Sequence, residues 1–328
     1  MNAAIMKRIV TGVLIFSILV LGACERAPSG ISPESGDWPQ YRADAGRTGY
    51  TPEQLPANLS LRWKMEQPAP SPAWKGVHTR MTFDYAYHTV IGGKTLYYGS
   101  SADCRVYALD AATGEERWSF FTGAPVRFAP ALWRDRVYAV SDDGYLYCLT
   151  AQKGKLLWKK RGGPDDTMIL GNDRMVSKWP VRGGIVIKDD ILYCGAGIWP
   201  SEGIYIYALD PGTGDTIWVN DNSGGMEYDQ PHPGARAKSG ISAQGYFAAA
   251  GKNLFVPTGR SVPAAFDLSN GTLRYFHLQK HRAYGGSRIM AADSYLFAPG
   301  GNSRFEWEII GKNKCRIQQR GWGTCYCR

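Results

Sequence analysis

The residues of this sequence that could do chemistry together lie in one segment, residues 221–240. Between prolines and glycines the segment carries Glu227, Asp229, His232, Arg236 and Lys238. The prolines on either side of the histidine restrict its backbone to extended conformations and so fix the direction of its side chain. We expect a long surface loop that contacts a ligand or a partner, with Trp179, Arg182 and Trp199 on the same face. A connecting loop with solvated charges is the alternative.

Other metal-ligating residue types are too scattered to predict a site. The C-terminal cysteines Cys315, Cys325 and Cys327 have no fourth ligand nearby. The histidines do not show the His-x-x-x-His spacing of metal sites on helices. We therefore predict no metal site.

Four similar segments reveal the elements that must position these residues. They cover residues 108–118, 148–158, 208–218 and 265–275, and the first reads Ala-Leu-Asp-Ala-Ala-Thr-Gly-Glu-Glu-Arg-Trp. The residues predicted to be structural in these repeats are Asp110, Thr113, Gly114, Trp118, Gly154, Trp158, Asp210, Thr213, Gly214, Trp218, Asp267, Gly271 and Tyr275. A repeat of this kind, with a unit of ~40 residues plus insertions, indicates stacked copies of one supersecondary structure.

Each repeat has the pattern of two strands joined by a tight turn. Alternating apolar residues such as those of 105–110 predict a strand, and the Asp caps a turn whose Gly can adopt a positive φ. A second hairpin precedes each repeat, so the unit has four strands and should form a propeller blade. We predict blades at 78–121, 126–161, 176–220 and 238–277, with a fifth beginning at 284–301. The repeated Trp should pack between neighbouring blades.

The pattern Ala-x-Asp-x-x-Thr-Gly-x-x-x-Trp resembles the repeat of pyrroloquinoline quinone (PQQ)-type β-propellers. Residues 38–44 (Trp-Pro-Gln-Tyr-Arg-Ala-Asp), 197–203 and 229–240 also resemble exported propellers of this kind. The resemblance covers about residues 38–303. It implies an all-β fold of four-stranded blades, of which four to five are present where relatives have seven or eight. The superfamily includes quinoprotein alcohol dehydrogenases and the outer-membrane assembly lipoprotein BamB.

The resemblance to quinoproteins does not by itself imply their cofactors. Quinoprotein dehydrogenases use PQQ and Ca²⁺, and several have a disulfide between adjacent cysteines, whereas this sequence has no Cys-Cys pair. PQQ and Ca²⁺ are therefore expected only if the chain is an enzyme. Cys148 occupies the position of Ala108 and Ala208 in the repeats, which indicates a small core residue. The spacing of Cys104, Cys148 and Cys194 leaves open whether any of them pair.

The N-terminus has the pattern of a bacterial lipoprotein. A basic start, a 13-residue apolar run and Leu-Gly-Ala-Cys predict a signal peptide at 1–23 and lipid attachment at Cys24. An ordinary signal peptide with a Cys near its cleavage site is the alternative. Residues 24–37 have the composition of a flexible tether. Glu25 is not the Asp that tends to retain such lipoproteins at the inner membrane, so the periplasmic face of the outer membrane, or the cell surface, is expected.

The charge does not indicate a nucleic-acid partner. Of the net charge of +9, two charges lie in residues 1–23 and four in the last 25, which leaves +3 for residues 24–303. No basic stripe remains to follow a phosphate backbone. The 39 glycines and the 12% aromatic content instead favour short strands and tight turns.

The two ends depart from the repeat pattern. Residues 59–64 look like the last strand of a blade, although no blade precedes them. Residues 304–328 have no Asp–Thr-Gly turn and carry a basic, Cys-bearing sequence. We interpret the chain as a fragment or the product of a frame-shifted gene; an unusual short propeller with a basic tail is the alternative.

Two functions follow as hypotheses. The first is a lipid-anchored envelope propeller that serves as a protein-interaction or ligand-binding scaffold, as BamB-like proteins do. Its partners would be envelope proteins or a small ligand such as a glycan, with the membrane contacted through the lipid. The second is part of a PQQ-dependent dehydrogenase that oxidises alcohols or sugars.

Overall fold

A computed structural model describes residues 36–74, 82–171, 173–230, 234–259, 261–278, 286–292 and 295–298, and the backbone of two short strands at Phe305–Glu308 and Lys314–Ile317. The predicted signal peptide, Cys24, His232 and most of the C-terminal tail lie outside the described residues. The described part contains no helix that is long and apolar enough to cross a bilayer.

The chain folds into successive antiparallel meanders, which confirms the predicted all-β propeller. Blade one contains β1 (Thr89–Gly92), β2 (Thr95–Ser100), β3 (Arg105–Asp110) and β4 (Glu116–Phe121). Blade two contains β5 (Ala131–Trp133), β6 (Arg136–Val140), β7 (Tyr145–Thr150) and β8 (Leu156–Arg161). A separate hairpin follows, formed by β9 (Met168–Gly171) and β10 (Arg174–Ser177).

Blades three and four continue the same order. Blade three contains β11 (Gly183–Lys188), β12 (Ile191–Ala196), β13 (Tyr205–Leu209) and β14 (Thr216–Asn220), with a short 3-10 helix at Pro200–Glu202. The hairpin of β15 (Glu227–Asp229) and β16 (Arg236–Lys238) precedes β17 (Gly245–Tyr246), which pairs in parallel with β11. Blade four contains β18 (Ala248–Ala250), β19 (Asn253–Val256), β20 (Ala264–Asp267) and β21 (Leu273–Tyr275).

A fifth blade begins with the hairpin of β22 (Met290–Ala292) and β23 (Tyr295–Phe297). The strands at Phe305–Glu308 and Lys314–Ile317, β24 and β25, form one more hairpin in the segment that we predicted to be a tail without repeats. The first strands of successive blades contact one another, so they lie innermost. The loops that lead into these first strands, and those between second and third strands, share one end of the blades, here called the upper face. The other turns lie on the lower face.

The repeated tryptophans join each blade to the next. The Trp118 indole donates a hydrogen bond to the Ala151 carbonyl (2.9 Å) and packs on Gly154, where an added Cβ would lie 2.5 Å from the ring. The same contacts pair Trp158 with Gly214 and Trp218 with Gly271. A side chain at these glycines would therefore push neighbouring blades apart.

The repeated Asp shapes the turn that carries this glycine. Asp110 Oδ1 accepts the backbone N–H groups of Ala112 (2.8 Å) and Thr113 (3.0 Å), and Gly114 adopts a φ of 77°. The side chains of Asp210 and Asp267 accept backbone N–H groups in the same way. Hydrogen bonds from Arg117 and the turn lower the pKa of Asp110 to about 2. The repeat aspartates thus hold turns. In the fourth repeat Tyr275 ends β21 and lies edge-on to His277, with ring centroids 4.8 Å apart.

The strand predicted at residues 59–64 is not formed. Trp63 makes the contacts of a repeat tryptophan, since its indole donates to the Ala111 carbonyl (3.1 Å) and covers Gly114. Leu59 and Leu61, however, are 74% and 81% exposed. No strand among the described residues pairs with this segment, so its backbone forms no inter-strand hydrogen bonds with them.

Residues 38–49, here called the axial segment, run along the inner strands of all five blades. Trp38 exchanges two backbone hydrogen bonds with Ile91 in blade one (2.8 and 2.9 Å). The Gln40 amide does the same with the backbone of Ile187 in blade three (2.7 and 3.0 Å). Carbonyls of the segment also accept N–H groups from blades two, four and five, namely those of Leu132, Ala249 and Ala291. The segment thereby satisfies inner edges that would otherwise be unpaired.

Arg47 anchors the axial segment in the core. Its side chain is fully buried and donates to the carbonyls of Phe247 (2.7 Å), Tyr41 (3.0 Å) and Ile185. Burial lowers the pKa of Arg47 to about 10, so the guanidinium remains charged at neutral pH. The carbonyl groups stabilise the charged guanidinium of Arg47, which thus links residues that are far apart in the sequence.

Candidate functional site on the upper face

Two arginines and two aspartates form a buried lattice on the upper face, here called the arginine–aspartate lattice. Arg127 donates to Asp84 (2.8 Å) and to Asp142 (2.5 Å). Arg182 binds both oxygens of Asp142 (2.8 and 2.9 Å). All four side chains are at most 4% exposed. Such a group of buried charges is tolerated only when every charge is paired.

The two arginines occupy equivalent positions in neighbouring blades. Each ends a Pro-Val-Arg tripeptide, at residues 125–127 and 180–182, just before the inner strand of its blade. The valine of each tripeptide donates its N–H to a serine carbonyl of the preceding blade, Ser100 in one case (3.2 Å) and Ser141 in the other (3.1 Å). The repeated tripeptide is the one feature of the sequence that relates the two arginines, and we did not predict the lattice from it.

The pKa values of the two aspartates are shifted in opposite directions. Burial opposes the charge of Asp142, but Arg182 and Arg127 outweigh it and hold its pKa below the usual range. Burial raises the pKa of Asp84, since Arg127 and the Ala73 N–H compensate only in part. Its Oδ2 accepts both of those donors, whereas Oδ1 has no hydrogen-bond partner among the described residues. Asp84 is therefore the lattice member with a free acceptor.

Further buried polar atoms near the ends of the inner strands also have no partner in the described chain. They are Gln244 Oε1, Ser287 Oγ, Arg288 Nε and Trp74 Nε1. Gln244 and Ser287 are 4% and 2% exposed. Buried polar atoms are almost always bonded, so such a set indicates a place for water or a ligand.

Backbone contacts bring these residues together. Gly245, next to Gln244, donates its N–H to the Arg182 carbonyl (3.0 Å), and Tyr246 donates to the Ser287 carbonyl (3.1 Å). Arg288 Nη2 returns to blade one through the carbonyl of Thr82 (2.8 Å), two residues before Asp84. The group formed by Trp74, Asp84, Arg182, Gln244, Ser287 and Arg288 is here called the upper-face site.

Aromatic rings border the upper-face site. Trp74 lies edge-on to Trp199 with ring centroids 6.0 Å apart, and the Arg182 guanidinium lies 5.7 Å from the Trp74 ring. Trp199 is 46% exposed, whereas Trp179 is buried and donates its indole N–H to the Glu202 carbonyl (2.7 Å). Of the three residues expected to share a face, Arg182 and Trp199 thus approach the site and Trp179 supports the chain beneath it.

The segment predicted to be a functional loop is a hairpin. β15 and β16 pair Glu227 with Lys238 and Asp229 with Arg236. The Glu227 carboxylate and the Arg236 Nε lie 3.3 Å apart, and both side chains are more than half exposed. Opposite charges thus face one another across the strands in solvent. His232 lies outside the described residues.

The three described cysteines are free thiols. Cys148 and Cys194 are buried, and burial raises their pKa values to about 11 and about 12. Cys148 pairs with Trp158 as Ala108 pairs with Trp118, so it fills the position of the repeat alanine. Arg174 contacts the sulfur of Cys104 at 3.6 Å. Protonated, enclosed thiols at these positions are suited to packing rather than nucleophilic chemistry.

The described residues do not fit the Ca²⁺ of quinoprotein dehydrogenases. No group of three or more His, Cys, Asp or Glu side chains among them could hold a metal ion. Three of the four carboxylate oxygens of Asp84 and Asp142 already accept arginine donors. The lattice charges are thus neutralised by guanidinium groups rather than left for a divalent cation.

Comparisons with known proteins agree with this fold. The model of the family described as "Outer membrane protein assembly factor BamB" matches residues 60–195. The 1-butanol dehydrogenase (quinone) of Thauera butanivorans is 24% identical over 139 residues, covering 38% of this chain and 21% of that protein. The dehydrogenase subunit of the alcohol dehydrogenase (quinone) of Gluconobacter oxydans is 29% identical over 135 residues, covering 38% and 17%.

Solved structures show the same architecture over more of the chain. Quinohemoprotein alcohol dehydrogenase from Comamonas testosteroni superposes with a TM-score of 0.54 at 16% identity, covering 86% of this chain and 45% of that one. A europium-containing methanol dehydrogenase gives 0.50 at 16% identity, covering 87% and 54%. The chain spans about a fifth of the length of the curated relatives and about half of these structures. At such identities the structures show the fold alone.

Proposed function

We propose that this chain, a β-propeller of the PQQ-repeat superfamily, is an exported ligand-binding scaffold that holds a small polyhydroxylated molecule on its upper face. The supporting observation is the set of buried polar atoms without partners at the upper-face site. Cys24 would anchor the protein to the envelope membrane through a lipid, with residues 25–37 as the tether.

The chemistry of these atoms favours hydroxyl groups. Asp84 Oδ1 and Gln244 Oε1 can only accept, whereas Trp74 Nε1 and Arg288 Nε can only donate, with Asp84 ionised. A hydroxyl group both donates and accepts, so a sugar or polyol can satisfy both sets at once. Trp199, which is 46% exposed, offers aromatic surface for the C–H side of a sugar ring. The lattice carries two positive and two negative charges, so the guanidinium of Arg288 is the unbalanced charge of the site and can donate to a ligand hydroxyl.

The test is ligand-dependent thermal stabilisation of the full-length protein, followed by calorimetric titration. A panel of hexoses, disaccharides and polyols is compared with simple alkanols at equal concentration. A ligand at 100 times its Kd should stabilise the fold by about 2.7 kcal/mol. Stabilisation by a polyhydroxylated compound and none by alkanols is expected. No shift with any member of the panel would refute the proposal.

A substitution separates binding from folding. Gln244→Leu removes the unpaired acceptor and the hydrogen bond that the amide nitrogen donates to Ser242 (2.9 Å), with little change in size. We expect affinity for the ligand to fall ~10-fold or more, while the lost hydrogen bond lowers the stability of the unliganded protein by only about 1 kcal/mol. Gln54→Leu, at an exposed position, is the matched control and should bind like the wild type. Wild-type affinity in Gln244→Leu would contradict the assignment of the site.

A dehydrogenase is the second candidate, favoured by the quinone-dependent relatives. Dye-linked oxidation of alcohols after addition of PQQ and Ca²⁺ would support it. The engagement of the lattice carboxylates by arginine leads us to expect no such activity.

A further inference from the structure

A cavity opens on the lower face, and no residue of the upper-face site lines it. Its volume is about 730 Å³, within the ~300–1,000 Å³ typical of small-molecule sites. It lies between the axial segment and the lower turns of blades one to three. Among its lining residues are Tyr97, Leu132, Trp133, Arg134, Ile187 and Asp190.

The floor of this cavity is apolar and its polar atoms are already bonded. Leu132 and Ile187 supply aliphatic surface, and the Tyr97 hydroxyl donates to the Ala151 carbonyl (3.1 Å). Gly93 borders open space, because a Cβ built at this residue would meet no atom within 4 Å. An apolar group can therefore enter without leaving the described floor atoms unpaired.

One wall is a tryptophan that already holds a cation. The Arg134 guanidinium lies 4.1 Å from the centroid of the Trp133 ring, and the indole N–H donates to Asp190 (2.6 Å). Arg134 is held only loosely, since its separation from Asp190 is 3.9 Å and both side chains are substantially exposed. Exposed pairs of this kind contribute little, so another cation can replace the guanidinium on the ring.

The charges around the cavity balance, so the Trp133 ring is the feature that favours a cation. The carboxylates of Asp37, Asp135 and Asp190 line the cavity with the guanidinium groups of Arg117 and Arg134. A third guanidinium, that of Arg136, lies 6.0 Å from the centroid of the Trp133 ring and 3.8 Å from Asp135. Arg117 is bound to Asp110 (2.6 Å) and Thr95 (2.8 Å), which leaves it little capacity to attract an anion.

We propose that the lower-face cavity binds an organic cation with an apolar body. The cationic head lies on the Trp133 ring in the place of the Arg134 guanidinium, and the body lies against Tyr97, Leu132 and Ile187. This site is independent of the upper-face site and of the function proposed above.

Calorimetric titration of the full-length protein tests this with defined probes. Choline and its uncharged carbon isostere 3,3-dimethyl-1-butanol measure the effect of charge, and benzyltrimethylammonium measures the effect of an apolar body. Choline should bind ~2- to 30-fold more tightly than the isostere, the range expected for a cation on an indole ring. Benzyltrimethylammonium should bind more tightly than choline. Equal binding of choline and its isostere would overturn the proposal.

Two variants locate the site. Arg134→Ala should tighten benzyltrimethylammonium binding several-fold, because the competing guanidinium is removed, and Trp133→Leu should weaken it ~2- to 30-fold. Arg62→Ala, at an exposed arginine, is the matched control and should bind like the wild type. An unchanged affinity in Arg134→Ala would place the probe elsewhere and refute the site even if Trp133→Leu proved unstable.

Discussion

Replacing Arg47 by Met tests whether the axial segment holds the blades together. The substitution keeps an unbranched side chain of similar reach but removes the hydrogen bonds to Phe247, Tyr41 and Ile185. Each bond from a charged donor is worth about 1.5–3 kcal/mol, or about 4.5–9 kcal/mol for three. Burial of the cation offsets part of this, since lowering its pKa from 12.5 to about 10 corresponds to about 3 kcal/mol.

The expected net loss in the free energy of unfolding is therefore about 2–6 kcal/mol, a large share of the stability of an ordinary domain. Urea titration followed by tryptophan fluorescence and far-ultraviolet circular dichroism measures it. Arg62→Met, at an exposed position, is the control and should change stability by less than about 0.5 kcal/mol. Arg47→Lys should be intermediate, because a single ammonium cannot reach all three carbonyls.

A loss in Arg47→Met no larger than in Arg62→Met would refute the structural role assigned to the buried guanidinium. If Arg47→Met does not accumulate as folded protein, Gln40→Leu offers a milder test. It removes only the two side-chain bonds to Ile187, so we expect a loss of about 1–3 kcal/mol in the same titration.

Three further changes probe other parts of the fold. Burial, together with the nearby Arg288, lowers the pKa of His88 to about 4, whereas the imidazole of the unfolded chain has a pKa of 6.5. The contribution of neutral His88 to the free energy of unfolding should be fully present above pH 6.5 and should fall by up to about 3 kcal/mol as the pH decreases towards 4. In His88→Phe this dependence of stability on pH should be weaker. Gly154→Ala places a Cβ on a residue with a left-handed φ of 62° and against the Trp118 ring. Urea titration should show a free energy of unfolding lower by about 2 kcal/mol or more, whereas alanine at an exposed glycine with a negative φ should leave it unchanged. Asp142→Asn removes the negative charge that pairs with the two buried guanidinium groups of Arg127 and Arg182, and it should lower the free energy of unfolding by about 3–5 kcal/mol. A loss below about 1 kcal/mol would contradict the structural role assigned to the arginine–aspartate lattice.

The sequence predicted the fold well because each blade repeats local chemistry. Asp110, Gly114 and Trp118 recur at fixed spacing, and each acts within a few residues or on the adjoining blade. A capped turn, a residue with positive φ and an aromatic ring leave a recognisable pattern in one dimension. The all-β architecture and the approximate bounds of four blades follow from that pattern.

The upper-face site was not predicted from the sequence, because its residues come from different blades. The role expected for the charged segment at 221–240 stays a prediction, and in the structure its strands pair in an exposed hairpin. Asp84, Arg127, Asp142 and Arg182 are isolated in the sequence, and only the repeated Pro-Val-Arg tripeptide hinted at a relation between two of them.

The local sequence specifies each blade, since turns, strands and the docking tryptophan depend on neighbours in the chain. The positions at which non-repeating residues meet depend on the tertiary structure. Residues 38–44 were recognisable as part of a family pattern, but their contacts with five inner strands became visible only in the folded chain. Gln244 and Ser287 became candidate ligand contacts for the same reason, because burial without a hydrogen-bond partner is a property of the packed structure and not of the residue type.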